Sequence, residues 1–182
     1  KSVGFDLLVD WPSLPHHGPE ELHFRPLNTD LPSGPYAATE QCPWRDKMIV
    51  GEVHDDNCWT MGGIAGHAGL FGTLDSVLKV GRMWLNVLRG ERTECTVPGE
   101  ILRRSVSWRW MHARGTRVLG WDTPTPGRSS AGRYLSRSTI GHLGFTGTSL
   151  WVDPLHDCVI ALLTNRVCPS RDDIRIRKLR PK

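Results

Sequence analysis

The sequence has no apolar run approaching the roughly 20 residues that a membrane-spanning helix requires, so it predicts no membrane span. It also has no CxxC pair among its five cysteines and no HExxH segment. These absences argue against a thiolate zinc cluster and against the helical zinc site of metalloproteases. The odd number of cysteines is unfavourable to a scaffold in which every cysteine is disulfide-bonded.

The beginning of the chain lacks both a methionine and the pattern of a secretory signal peptide. We expect an upstream segment to have been lost, and we therefore predict no compartment. The 182 residues suit one domain or a large piece of a bigger one. An apolar fraction of 38% and eight tryptophans favour a packed globular body over a disordered chain.

Acidic residues are scarce at the C-terminal end. Residues 166–182 contain seven Lys/Arg and two Asp/Glu, whereas the whole chain carries a net charge of only +4. The basic character therefore belongs to the tail and does not describe a nucleic-acid-binding face. We interpret the tail as the solvated end of a helix, and we expect no nucleic-acid partner.

Prolines divide the chain into an irregular part and an ordered part. Seven of the thirteen prolines lie within residues 1–47, where they exclude a long helix. We therefore predict an irregular segment over residues 1–47 and a folded region over residues 48–182. A short strand through Met48, Ile49 and Val50 is expected at the start of the folded region.

One helix is well marked. The spacing of its apolar residues is i, i+3, i+4, i+7, which predicts an amphipathic helix over residues 74–89. Thr73 suits the N-cap, and Gly90 is a natural stop. A second helix is expected over Pro98–Val106, and a third begins near Arg171.

The best-marked strands lie near the C-terminal end. Residues 148–152 are β-branched and apolar, residues 153–157 have turn composition, and residues 158–164 form a nearly continuous apolar run. This order predicts an antiparallel hairpin whose second strand is buried on both faces. A further strand is expected over residues 117–121, before a turn-rich segment at 124–132.

Three stretches of the sequence are similar to one family. They read GEVHDDN at 51–57, running into MGGIAGHAGLFGT at 61–73; GWD at 120–122 with SSAG at 129–132; and GHLGFTGTSLWVDP at 141–154, continuing to LLTNR. In this order they resemble the serine β-lactamase-related hydrolases, which include class C β-lactamases, penicillin-binding proteins, D-Ala-D-Ala carboxypeptidases and related esterases. The resemblance extends from about Glu40 to the end.

The resemblance implies an α/β (α+β) fold, a β-lactamase/transpeptidase-like antiparallel sheet flanked by helices, which is incomplete here. Three motifs build the site of that family: Ser-x-x-Lys, Tyr-x-Asn or a variant, and a strand with Lys/His-Thr/Ser-Gly. Only the third has a counterpart, at His142, Leu143 and Gly144. In the relatives a helix follows the tyrosine motif, and residues 4–8 resemble that helix. This alignment predicts that the sequence begins just after the tyrosine motif.

The third motif supplies the candidate catalytic residues. By resemblance, His142 holds a substrate carboxylate or assists proton relay, Gly144 leaves room for substrate, and Phe145 donates its backbone N–H to the oxyanion. Leu143 replaces the usual hydroxyl residue, which argues against penicillin-like carboxylate recognition. On a strand, His142 and Gly144 face one way and Leu143 the other.

The glycine-rich stretch supplies candidate pocket residues. By resemblance His54, Asp55, Gly66 and His67 lie near the mouth of the active site, with glycines adopting conformations closed to other residues. Imidazole and carboxylate also suit zinc, so a zinc hydrolase using His54 and His67 is an alternative. We prefer a hydrogen-bonded, loop-stabilising role and predict no metal.

The chain contains one literal Ser-x-x-Lys, at Ser76 to Lys79. It lies in the predicted helix that follows the glycine-rich stretch, where relatives have an ordinary helix. The only tyrosine close before His142 is Tyr134, eight residues ahead of it, which is too close for the relay motif. We therefore interpret Ser76 as a structural residue.

These observations predict a fragment of a serine hydrolase that acts through an acyl-enzyme on an ester, amide or β-lactam. The fragment lacks its nucleophile and is predicted to be inactive alone. No cofactor is expected, and the partner is a small-molecule or peptidoglycan-like substrate. The alternative is a non-catalytic remnant or binding module with the same fold.

Overall fold

The amphipathic segment forms the longest helix in the computed structural model, which describes residues 7–9, 22–28, 36–93, 95, 97–107 and 115–181. In chain order the strands and helices are β1 (Leu7–Val9), β2 (His23–Phe24), β3 (Ala38–Cys42), β4 (Lys47–Val50), α1 (Asp56–Thr60), β5 (Leu70–Phe71), α2 (Leu74–Arg89), α3 (Gly99–Ser105), β6 (Arg117–Val118), β7 (Trp121–Asp122), β8 (Ile140–Leu143), β9 (Ser149–Asp153), β10 (Cys158–Leu162) and α4 (Ile176–Leu179).

Helix α2 begins and ends where its capping residues predict. The Thr73 hydroxyl accepts a hydrogen bond from the Ser76 N–H, and Gly90 ends the helix in the left-handed conformation at φ 78°. Both boundaries of the predicted helix are therefore confirmed. α3 occupies the expected second helix.

The main sheet has six strands in the order β1-β10-β9-β8-β7-β6, and all its pairings are antiparallel. β9 and β10 form the predicted hairpin, in which Asp153 pairs with Cys158. Two small sheets pair β2 with β5 and β3 with β4. The predicted mixture of helices and antiparallel sheet is confirmed.

α2 lies on one face of this sheet and makes the core with it. Leu78 and Leu85 of the helix pack with Ile140, Val152 and Val159 of the strands. The helix approaches β10 closely at Gly81, where a Cβ atom would lie 2.3 Å from the Val159 Cγ1. The opposite face of β10 is only partly buried at Cys158 and Ile160, so the expectation of burial on both faces holds for one face only.

Several predicted boundaries differ from the structure. Residues 1–47, expected to be irregular, include the short strands β1, β2 and β3, of which β1 joins the main sheet beside β10. Because Leu7 and Leu8 lie in β1, the helical alignment of residues 4–8 is wrong for those two residues, and residues 4–6 lie outside the described residues. The strand expected over 117–121 is divided by a turn at Gly120, where φ is 77°.

The C-terminal helix is much shorter than expected. α4 covers only Ile176–Leu179. Before the helix, the Arg171 guanidinium donates to Glu40, and the carbonyls of Arg171 and Asp173 accept from Arg166. Among the described residues, no helix is both long and apolar enough to cross a membrane.

Asp153 fixes the turn that joins β9 to β10. Its fully buried carboxylate accepts hydrogen bonds from the backbone N–H groups of Ser136, Leu155 and His156, at 2.7, 3.0 and 3.2 Å. The Ser136 hydroxyl and the His156 Nδ1 lie 2.7 and 2.8 Å from it. Burial raises the pKa of Asp153, but these donors outweigh that effect and hold the pKa far below its ordinary value.

Candidate active site

The third-motif strand is β8, which carries the residues predicted to line the pocket. Gly141 is buried against the neighbouring strand, where a Cβ atom would lie 2.0 Å from the Trp151 ring. His142 is exposed, and it pairs with Leu150 of β9. Gly141 is the last residue of β8 that pairs with β7, so in the described part of the chain β8 has a free edge at His142 and Leu143.

A tight turn follows β8 and presents Phe145. The Gly144 N–H donates to the Thr148 carbonyl at 2.8 Å, and Gly147 adopts a φ of 113°. A Cβ atom at residue 144 would meet the Thr148 hydroxyl at 2.0 Å, so any other residue here would force the Thr148 side chain to move. The Phe145 side chain is 60% exposed, and its backbone N–H has no acceptor among the described residues.

His54 lies against this turn, although 91 residues separate it from Phe145 in sequence. The two rings are stacked, with centroids 5.8 Å apart and planes inclined by 23°. The His54 side chain is buried, and its Nε2 lies 2.7 Å from the Glu40 Oε2. The fold thus brings one predicted pocket residue into contact with one predicted catalytic residue.

Glu40 and Arg171 hold His54 in place. Arg171 donates from Nε and Nη2 to the Glu40 carboxylate at 2.8 Å each, and from Nη1 to Asp56 at 3.1 Å. The hydrogen bond from Arg171, with a further one from His54, holds the pKa of Glu40 below its ordinary value despite burial. The sequence reasoning missed both residues, since nothing in their local patterns marks a partner 131 residues away.

Asp55 and His67 meet at the glycine-rich loop. The Asp55 Oδ1 caps α1 by accepting from the Cys58 N–H at 2.8 Å, and it lies 3.0 Å from the His67 Nε2. The hydrogen bond from Cys58 lowers the pKa of Asp55, although burial opposes it. This geometry supports a loop-stabilising role for the pair.

The glycines of this loop differ in whether their backbone conformation and surroundings exclude a side chain. Gly63 has φ 93°, and a Cβ atom there would lie 2.7 Å from the Arg25 carbonyl oxygen. Gly69 has φ 100°, and its Cβ would lie 2.5 Å from the Gly63 carbonyl oxygen. Gly66 has neither a positive φ nor a close neighbour, so the expectation that it adopts a conformation closed to other residues is wrong.

Three of the candidates remain apart from the His54–Phe145 contact. The His142 side chain has no hydrogen-bond partner within the part of the chain that the structure describes. Gly66 and His67 are exposed on the glycine-rich loop. No group of three or more His, Cys, Asp or Glu side chains suited to a metal occurs in the described ranges.

Ser76 is part of the N-terminal cap of α2. Its hydroxyl lies 3.1 Å from the Thr73 hydroxyl, and the residue is 4% exposed. Lys79, the other end of the literal Ser-x-x-Lys, is exposed. This placement supports the interpretation of Ser76 as a structural residue.

Acidification is expected to remove the stabilisation that Glu40 provides. Because its folded-state pKa is lowered, this contribution is present above the ordinary glutamate value of 4.5 and is lost as the pH falls below it. We expect Glu40→Gln to lower the free energy of unfolding by about 2 kcal/mol at neutral pH. Urea unfolding at several pH values should show this difference shrinking below about pH 4.5.

Glu91→Gln is the matched control, because the Glu91 side chain is 49% exposed and its one ion-pair partner among the described residues is Arg89 on the surface. It should change the unfolding free energy little at any pH. A Glu40→Gln difference that stays constant from neutral to acidic pH would contradict the assigned role of the Glu40 carboxylate.

Comparison with known proteins finds one family model and several relatives that are similar to this chain. A family model described as Beta-lactamase matches residues 11–180. Proteins named putative D-alanyl-D-alanine carboxypeptidase from Salmonella agona and Salmonella newport are each 33% identical over 130 residues. The match covers 67% of this chain and 28% of each relative, so the chain spans well under half of their length.

Among solved structures, a β-lactamase from Mycobacterium bovis is similar to this chain. It matches at 19% identity with a TM-score of 0.43, over 62% of this chain and 44% of the other.

Proposed function

Because this chain belongs to the β-lactamase family, we propose that it is the C-terminal part of a serine hydrolase, whose nucleophile is supplied by a segment outside this sequence. The parent reaction transfers an acyl group from an ester, amide or β-lactam to serine and then hydrolyses the acyl-enzyme. The observation that carries this proposal is the Phe145 turn, whose N–H has no acceptor among the described residues, at the free end of β8.

The proposed roles are those that the family resemblance implies, and the placement of each residue supports them. The Phe145 N–H donates to the oxyanion that forms when serine attacks the acyl carbonyl, and Gly144 permits the turn that presents it. His142, exposed on β8, contacts the substrate or assists proton transfer. His54 supports the Phe145 ring, while Asp55 and His67 fix the glycine-rich loop beside it.

The proposed substrate is a peptidoglycan-like peptide ending in D-alanyl-D-alanine. The names of the Salmonella relatives, putative D-alanyl-D-alanine carboxypeptidases, favour this class over β-lactam antibiotics. Leu143, where a hydroxyl residue is usual, offers no side-chain hydrogen bond to a substrate carboxylate, and this loss affects a D-alanyl-D-alanine peptide and a penicillin alike.

The second candidate is a binding module that keeps the pocket wall without the chemistry. The observation that favours it is the same Leu143, since loss of the hydroxyl is also expected in a site that no longer hydrolyses its ligand.

Joining this chain to the Ser-x-x-Lys and tyrosine segments of a Salmonella relative separates the two candidates. We expect the joined protein to hydrolyse a p-nitrophenyl ester and to release D-alanine from a D-alanyl-D-alanine peptide. A joined protein that folds and binds the peptide, but hydrolyses neither compound, would establish the binding module instead.

A further inference from the structure

Two arginines from the C-terminal part of the chain converge on the Phe145 turn. Arg180 donates from Nη2 to the Gly144 carbonyl at 2.8 Å and to the Thr148 carbonyl at 2.6 Å. Arg166 donates from Nε to the Phe145 carbonyl at 2.6 Å, and its guanidinium lies 4.1 Å from the centre of the Phe145 ring. The backbone carbonyls on both sides of the Phe145 α-carbon are therefore bound by cations.

Holding these two guanidinium groups beside one turn costs free energy, because like charges repel each other and burial removes them from water. Neither guanidinium has a carboxylate partner among the described residues. Arg180 is partly buried, and its Nε is a buried donor without an acceptor in the same part of the chain. Burial and the nearby charge of Arg166 both lower the pKa of Arg180. Two like charges are thus held beside one five-residue turn.

The Gly144 carbonyl and the Phe145 N–H belong to one peptide group. Arg180 and the Gly147 N–H both donate to that carbonyl, at 2.8 and 3.2 Å. Hydrogen bonds to a carbonyl draw electron density away from the N–H of the same peptide, and a charged donor does so more strongly than a neutral one. The Phe145 N–H is therefore a stronger donor than an ordinary amide.

We propose that Arg180 is a positioning residue, which polarises the Gly144–Phe145 peptide and fixes its orientation so that the Phe145 N–H binds an oxyanion. This assignment rests on the proposed function. By bridging the Gly144 and Thr148 carbonyls, Arg180 also holds the turn at the geometry that exposes this N–H. The basic tail, interpreted from sequence as a solvated helix end, thus has a specific contact with the third motif.

Amide hydrogen exchange of the Phe145 N–H, followed by NMR in the 182-residue chain, tests this role. An N–H polarised by a nearby cation is more acidic and exchanges faster with base. Arg180→Met should slow that exchange about three- to fivefold, because a unit charge roughly 4–6 Å away in water changes an ionisation by about this factor. Arg180→Lys, which keeps the charge, should exchange faster than Arg180→Met.

If Arg180 served only as an anchor, Arg180→Met would change the Phe145 exchange rate in the opposite direction. If Arg180 only fastened α4 to the sheet, its removal would loosen the turn, and the Phe145 and Gly144 N–H groups would both exchange faster. Arg177→Met, in an exposed residue of the same helix, should leave the Phe145 rate unchanged. A Phe145 rate that is unchanged or increased in Arg180→Met overturns the proposal.

If Arg180→Met does not fold, the exchange rate measured in the wild-type chain still tests the proposal. Its Phe145 N–H should exchange faster than the same residue in an unstructured peptide spanning the turn, and a slower rate overturns the proposal. These rates need no substrate and no nucleophile. Failure of the joined protein to hydrolyse a substrate would therefore count against the proposed function alone, whereas a wrong exchange rate would count against the role of Arg180.

Discussion

His142→Ala is expected to lower kcat/KM by about 10²-fold in the joined protein that carries the relative's Ser-x-x-Lys and tyrosine segments. A positioned proton-transfer group contributes at least this much. His142 is exposed at the free edge of β8, and its backbone is fixed by pairing with Leu150 of β9, so we expect its imidazole to reach the proposed pocket. Steady-state hydrolysis of the best ester measures the effect.

The fold should survive this substitution, because the His142 side chain is exposed and has no hydrogen-bond partner within the described part of the chain, and alanine keeps the backbone pairing with Leu150. His156→Ala is the control: His156 lies in the β9–β10 turn beside Asp153, and its loss should reduce stability slightly without changing kcat/KM. Equal rates for His142→Ala and the parent enzyme would show that His142 is not the third-motif residue.

Asp153→Ala is expected to have the largest effect on stability, lowering the free energy of unfolding by about 3–5 kcal/mol. The substitution leaves the N–H groups of Ser136, Leu155 and His156 without their acceptor at a partly buried turn, and it empties the buried site of the Asp153 carboxylate. Each unsatisfied buried donor costs about 1–3 kcal/mol. Urea unfolding of the 182-residue chain, or of the joined protein, measures the loss.

Asp172→Ala is the matched control, since Asp172 is exposed and, among the described residues, its carboxylate accepts only from the hydroxyl of nearby Ser170. It should change the unfolding free energy by no more than about 0.5 kcal/mol. If the two aspartates proved equally tolerant of alanine, Asp153 would not be the residue that fixes the turn between β9 and β10.

Sequence periodicity predicts the elements whose boundaries are set locally. The apolar stripe of α2, its cap at Thr73 and its stop at Gly90 are all contained within 18 residues, and the structure confirms each of them. The hairpin of β9 and β10 follows equally from two apolar runs around a turn. Short strands such as β1 cannot be predicted in this way, because three residues carry no recognisable period. The strand depends instead on its pairing with β10.

The candidate site depends on contacts that local patterns cannot reveal. The family resemblance identifies His54 and Phe145, but the stacking of their rings is visible only in the folded chain. Arg171 and Arg180 lie in a tail whose composition is typical of a solvated helix end. Their partners, Glu40 and the Gly144 carbonyl, are 131 and 36 residues away.

Labelling with a fluorophosphonate probe, located by peptide mass spectrometry, tests the central claim most directly. The claim is that residues 1–182 supply the oxyanion side of a serine hydrolase site and that Ser76 is not its nucleophile. The chain alone should remain unlabelled, and the joined protein should be labelled at the serine of its added Ser-x-x-Lys segment. Stoichiometric labelling of the chain alone at Ser76 would contradict the account.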